Sequence, residues 1–123
     1  MISDNFLKRE DKVKIAVSSE GKGLESQVSK VFARSPYFLI AETKDQKIGK
    51  TEVVENKGLD QMSGAGITVA KLMAEKDVEV VVTGNVGPRA LEILRQFGIE
   101  VYLGEGKIEG VLQKFLAGKL QKI

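Results

Sequence analysis

Neither cysteine nor histidine occurs anywhere in the 123-residue sequence. Without them the chain has no thiolate nucleophile and none of the sulfur and imidazole donors from which ordinary zinc sites are built. A serine–histidine–aspartate triad and any histidine acid–base step are excluded as well. A metal held by this chain would need carboxylate or carbonyl oxygens, a ligand carried in with the metal, or non-covalent capture of a whole cluster. Long apolar runs are also missing. No stretch approaches a membrane span, and Met1 to Lys12 (MISDNFLKREDK) lacks the apolar core of a signal peptide, so the expectation is a cytoplasmic protein. The charges nearly balance, 19 basic against 17 acidic residues, and a net +2 is too small to argue for nucleic acid or a membrane surface as partner.

The residues that are present suit a soluble globular chain, with 42% hydrophobic and 29% charged, and the length suffices for one core without disulfide or metal. Residues 1–12 read as a polar arm and residues 13–123 as a single domain. Val13 to Val17 makes a first strand, and Ser18 to Gly23 a loop. Leu24 to Arg34 is short and serine-rich; Val28, Val31 and Phe32 have helical spacing, and the expectation is a loop with room for one helical turn. Pro36 to Glu42 is a strand, and Lys44-Asp45-Gln46 turns the chain into a third strand over Ile48 to Glu55, its alternation blurred around Gly49.

After a loop over Asn56 to Met62, Ser63 is the expected N-cap of a helix from about Gly64 to Lys76. Val80-Val81-Val82 is a buried strand, and Pro88 suits the first position of the next helix. Leu91, Leu94 and Phe97 mark that helix's inner stripe, widened by Ala90 and Ile93, and Gly98 stops it. A strand begins in Ile99 to Leu103. The last helix runs from about Ile108 to Leu116, with Val111, Leu112, Phe115 and Leu120 continuing its core stripe.

Hairpins first and crossovers afterwards predict an α/β fold: a mixed five-stranded sheet, order 3-2-1-4-5 with strand 2 antiparallel, covered by helices in three α/β/α layers. Ligands in such sheets collect where the chain leaves neighbouring parallel strands in opposite directions, here between strands 1 and 4. That crevice is expected between Ser18 to Gly23 and Thr83 to Arg89. The glycines at Gly84 and Gly87, with Asn85 between them, have two readings: a short strand-to-helix loop needs them, or they bring an anion to a helix start. Gly64 and Gly66 have the same two readings, as further donors or as aids to close packing. Lys22, Arg34 and Arg89 are either partners of that anion or solvated charges.

The sheet order is that of ribonuclease H-like folds, whose nucleases need clustered carboxylates for two metals. VKIAV carries none, and strand 4 ends in Thr83-Gly84. Gly21-Lys22-Gly23-Leu24-Glu25-Ser26 matches neither a P-loop nor a dinucleotide fingerprint. Binding is therefore favoured over catalysis, and no catalytic residue is assigned.

The segments KIAVSS, VSKVFARSPYFLIAE, SGAGITVAKLM, VVVTGNVGPRALEIL and GIEVYLGEG, in this order and spacing, resemble the dinitrogenase iron-molybdenum cofactor biosynthesis family over about residues 13 to 118. Thr83 to Ala90 and the Phe32, Arg34, Pro36-Tyr37-Phe38 cluster are the most specific parts. The resemblance implies a ribonuclease H-like domain without enzymatic activity that binds or carries an anionic iron-sulfur or iron-molybdenum cluster or precursor, with cofactor-assembly proteins as partners and a monomer or homodimer as the working form. Many members carry histidine ahead of the phenylalanine and ahead of the Gly-Ala-Gly turn; here those positions are Val31 and Ser63. Capture of a cluster would then rest on Lys22, Arg34, Arg89 and the backbone N–H groups of the glycine turns. Two other readings stay open: a protein-interaction module joined through a sheet edge or its outer helices, and a phosphate or nucleotide binder using the same loops.

Overall fold

The structure is a computed structural model and describes residues 12–59 and 63–123. Most of the expected 1–12 arm, residues 1–11, lies outside the described residues, as does the end of the 56–62 loop. The alternating apolar run at the start of the chain forms β1 (Lys12–Ser19), buried from Ile15 onward. It is followed by β2 (Tyr37–Lys44) and β3 (Lys47–Glu55). Asp45 and Gln46 join these two strands with φ of 53° and 68°, the left-handed pair that matches the twist of a two-residue hairpin. The pairing of β2 with β3 shifts between Ala41 and Thr43, which accounts for the blurred alternation near Gly49.

Then come α1 (Ala65–Glu75), β4 (Val80–Thr83), α2 (Pro88–Gln96), β5 (Glu100–Leu103), α3 (Ile108–Leu116) and β6 (Gln121–Lys122). The sheet order is β3-β2-β1-β4-β5-β6. Strands β1, β4 and β5 run parallel, while β2 is antiparallel to both neighbours. The expected order is present, extended by an antiparallel β6 against β5. Two polar residues show no strand pattern in sequence, so this edge was not foreseen.

One face of the sheet packs under α1 and α2 through Phe38, Ile40, Val69, Met73 and Leu94. The other packs under α3 through Ile15, Val17, Leu39, Ile108 and Leu112. These are the three expected α/β/α layers. Each fully buried aliphatic or aromatic side chain stabilises the fold by about 1.5–3 kcal/mol. Among the described residues no helix is long and apolar enough to cross a membrane.

Two local expectations are corrected. Phe97 is 49% exposed rather than in the core: it follows the last helical residue, and the stripe of α2 is already closed by Ala90 and Leu94. The N-cap of α1 is Gly64, at φ 75°, not Ser63. That left-handed conformation costs glycine little, and it carries the chain past the point where a side chain at 63 would cap. Residues 24–34 form the expected loop, an irregular strap with single i to i+3 turns at its two ends, Ser26 to Gly23 and Ser35 to Phe32, pinned by bridges of Val28 to Ser19 and Gln27 to Lys107. Its spacing mimicked a helix because Val28 packs into one layer and Phe32 into the other.

Candidate functional site

The strap crosses the carboxyl ends of β1 and β4. Ser29 N–H donates to the Ser18 carbonyl at 2.8 Å, Gly84 N–H to the Ser29 carbonyl at 3.2 Å, and Phe32 N–H to the Asn85 carbonyl at 2.9 Å. The Ser18 hydroxyl lies 2.7 Å from that of Thr83, and Ser35 Oγ accepts the Ser19 N–H at 2.8 Å. Asn56 Nδ2 donates to the carbonyls of Ala33 and Ser35. A methyl added at Gly84 would sit 2.8 Å from Lys30 Cα, so glycine is what lets the strap lie this close. The gap expected to stay open between strands 1 and 4 is therefore filled by the chain itself. The Ser18 to Gly23 loop is likewise self-satisfied: the N–H groups of Glu20, Gly21 and Gly23 donate to Gln27, Ser19 and Ser26. The Lys22 ammonium lies 5.5 Å from the centre of the Tyr37 ring, a cation–π arrangement that sets it apart from the other candidates.

All three helices start at this carboxyl end. The start of α3 is closed by the strap's leading loop: Ile108 N–H donates to the Ser26 carbonyl at 2.9 Å and Glu109 N–H to the Leu24 carbonyl at 3.0 Å. Glu109 also places a carboxylate in its first turn. Helices α1 and α2 have glycine caps with no side-chain hydrogen bond and no acidic residue in the first turn. Their first paired amides are those of Thr68 and Leu91, donating to Gly64 and Gly87. Among the described residues nothing accepts the N–H groups of Ala65, Gly66, Ile67, Arg89 or Ala90. These two starts are adjacent, since a methyl on Gly66 would meet the Ala90 methyl at 3.0 Å and that of Ala33 at 3.7 Å. Gly66 thus has the packing role anticipated for it, and the same contact draws the two sets of amides together. Gly87 is different. Its φ of −69° suits any residue, and an added methyl would touch nothing within 4 Å. Pro88 occupies the first turn as expected.

A cleft of about 1200 Å³ opens between the strap and the turn before α3, over the ends of β4 and β5, with Arg34, Gly84 and Asn85 in its wall and none of the first-turn residues of α1 or α2. Lys30 and Lys114 add two cations and Glu20 and Glu105 two carboxylates. Arg34 Nη1 donates to the Leu59 carbonyl at 2.8 Å, which fixes the guanidinium at the rim. Of the eight residues singled out in the sequence, Arg34, Gly84 and Asn85 line the cleft; Gly64, Gly66, Gly87 and Arg89 sit at the paired helix starts; Lys22 lies elsewhere. Lys30 and Lys114 were missed. Lys30 stands two residues from Phe32 and was within reach of inspection, whereas nothing in the α3 sequence points Lys114 at a cleft.

Direct metal ligation does not fit these residues. No group of three or more metal-ligating side chains occurs among the described residues, and the donors gathered here are N–H groups, a guanidinium and ammonium groups. Such a set matches the outside of an anion, by hydrogen bonds and charge.

Fold and site together define a small ribonuclease H-like α/β/α domain whose chemistry is polar donation at one end of the sheet. The chain belongs to the dinitrogenase iron-molybdenum cofactor family, whose sequence profile matches residues 11–118. It is 35% identical over 98 residues to the uncharacterized protein MJ0580 of Methanocaldococcus jannaschii, covering 79% of this chain and 83% of that one. The apo form of the orange protein from Desulfovibrio gigas superposes with a TM-score of 0.82 at 33% identity, over 89% of this chain and 92% of that one. The NMR structure of Thermotoga TM1290 superposes with a TM-score of 0.75 at 36% identity, over 89% and 92% of the two chains.

Proposed function

We propose that this protein is a non-enzymatic carrier that holds an anionic iron–sulfur or iron–molybdenum cluster, or its precursor, where α1 and α2 begin. The observation that carries the reading is the pair of adjacent helix starts for which, among the described residues, neither an internal acceptor nor an acidic first-turn residue like those of α3 is found. A negative charge at a helix start is favoured by about 0.3–1 kcal/mol per helix at an exposed site, so two starts acting on one anion reinforce each other. Arg34, next in sequence to the Ala33 that packs at these starts, adds charge without ligating metal. Capture of this kind is reversible and sensitive to salt, which suits a cargo that must be handed on. The family's link to the nitrogenase cofactor supports cofactor-assembly proteins as donors and acceptors of that cargo.

The test is anaerobic incubation of the purified protein with iron–molybdenum cofactor, then gel filtration with metal analysis. Iron and molybdenum should co-elute with the protein, and phosphate or nucleotide should displace them no more than chloride does at the same ionic strength. Metal at background in the protein peak would overturn the reading; displacement by nucleotide would move the site to phosphate ligands.

A further inference from the structure

The amino end of the sheet carries an arrangement that the cargo site leaves unexplained. Lys12 of β1 stands directly opposite Lys44 of β2, and Lys44 stands directly opposite Lys47 of β3. Directly opposed residues share a face, so three ammonium groups form a row across three neighbouring strands. Like charges in these positions destabilise a sheet, and only a compensating partner turns them to advantage. Among the described residues none of the three has an ion pair. Of the carboxylates nearby, Glu52 accepts from Lys76 at 2.8 Å and Glu79 Oε2 accepts the Lys14 N–H at 3.0 Å, while Glu42 and the hairpin residue Asp45 form no ion pair among the described residues. All three lysines are exposed, and Lys12 and Lys44 border a cleft of about 500 Å³ with Lys14 and Lys50.

We infer that this lysine row is a docking surface for an acidic helix of a partner protein. Neighbouring strands are about 4.8 Å apart, and side chains three or four residues apart on a helix are about 5–6 Å apart, so one helix face can offer one carboxylate per lysine. Glu42 and Glu79 stand in the cleft wall beside the row, so the patch is a narrow cationic line rather than the broad basic field that a phosphate backbone tracks. Nucleic acid is thereby disfavoured, in keeping with a net charge of only +2. The eight residues of β1 place this row about 25 Å from the carboxyl end. A partner seated here leaves the cargo end uncovered, and the inference holds whether or not that end carries a cluster.

The experiment uses the full chain and a labelled helical peptide with glutamates at every fourth position along one face. A second peptide of equal composition has its glutamates spread around the helix. At low ionic strength the one-faced peptide should bind more tightly than the second, and Lys12→Gln/Lys44→Gln/Lys47→Gln should weaken it by about tenfold or more. A control, Lys71→Gln/Lys119→Gln, should bind as the parent does. The triple variant relieves like-charge repulsion and should unfold at no lower temperature than the parent, so lost binding cannot be ascribed to lost structure. Equal binding by parent and triple variant, equal binding of the two peptides, or tighter binding of duplex DNA than of the one-faced peptide would each overturn the inference.

Discussion

Helix α3 and the pair α1 and α2 begin at the same end of one sheet and are finished differently. The amides of Ile108 and Glu109 are taken by carbonyls of the 24–26 loop, and Glu109 answers the helix dipole. The amides of Ala65 to Ile67 and of Arg89 and Ala90 face no acceptor among the described residues, and no acid stands in either first turn. Water satisfies an exposed amide at little cost, which covers Arg89, whereas Ala65 and Ala90 are buried. The difference teaches which end-groups serve the fold and which remain available to a guest. The strap seals the gap between β1 and β4 and α3 is closed by the loop leading into it, while the neighbouring helix pair has no acceptor for its first amides among the described residues.

The comparison can be broken at the strap. Phe32 is fully buried and packs edge-on to Phe38 with ring centres 5.5 Å apart. Phe32→Ala should lower unfolding stability by about 3–5 kcal/mol in urea titration; a loss below about 1 kcal/mol would mean that the strap is not anchored there. Gly84→Ala forces a methyl against Lys30 Cα and should cost about 1–3 kcal/mol, because backbone rather than a flexible side chain is in the way.

Smaller changes sharpen the contrast. Gly87→Asp gives α2 the capping acid that it lacks, at a position with room for it. Stability should rise by about 0.5 kcal/mol while cluster retention falls, because the internal carboxylate takes the guest's place. Gly110→Ala in α3 also meets nothing within 4 Å. It should stabilise by about 0.5–1 kcal/mol and leave retention unchanged. If both variants alter retention equally, the two kinds of helix start are not functionally distinct.

The smallest effect belongs to neither region. The Lys76 hydrogen bond holds the exposed Glu52 carboxyl below its ordinary value, outweighing the opposing effect of burial. A depressed carboxylate adds stability that is present above its unfolded value and is lost as pH falls through the folded one. Acidification below about pH 4.5 should therefore remove about 0.5 kcal/mol or less, given the exposure of the pair, and Lys76→Met should shrink that step in an acid titration of unfolding, the weaker pull of Lys14 and Lys50 remaining.

The parallel strands and their helices were legible because Val80 to Val82 and the stripes of α2 and α3 each report one repeating environment. The strap was not, because Val28 and Phe32 serve opposite layers and their spacing records a crossing rather than a helix. Gly64 hid its left-handed backbone behind the better capping residue beside it. The candidate site was legible as a set of glycine turns and cations; its geometry was not, since proximity of Gly66 to Ala90 depends on how two helices pack and leaves no mark in either segment.

The most direct measurement is an amide-resolved NMR titration with tetrathiomolybdate, a diamagnetic molybdenum–sulfur dianion that stands in for an anionic cluster. The amides of Ala65 to Ile67 and of Arg89 and Ala90 should shift together and saturate with a single affinity, while those of Ile108 and Glu109 stay in place. Shifts confined to α3 or to the 18–23 loop, or none at the two open helix starts, would contradict the account.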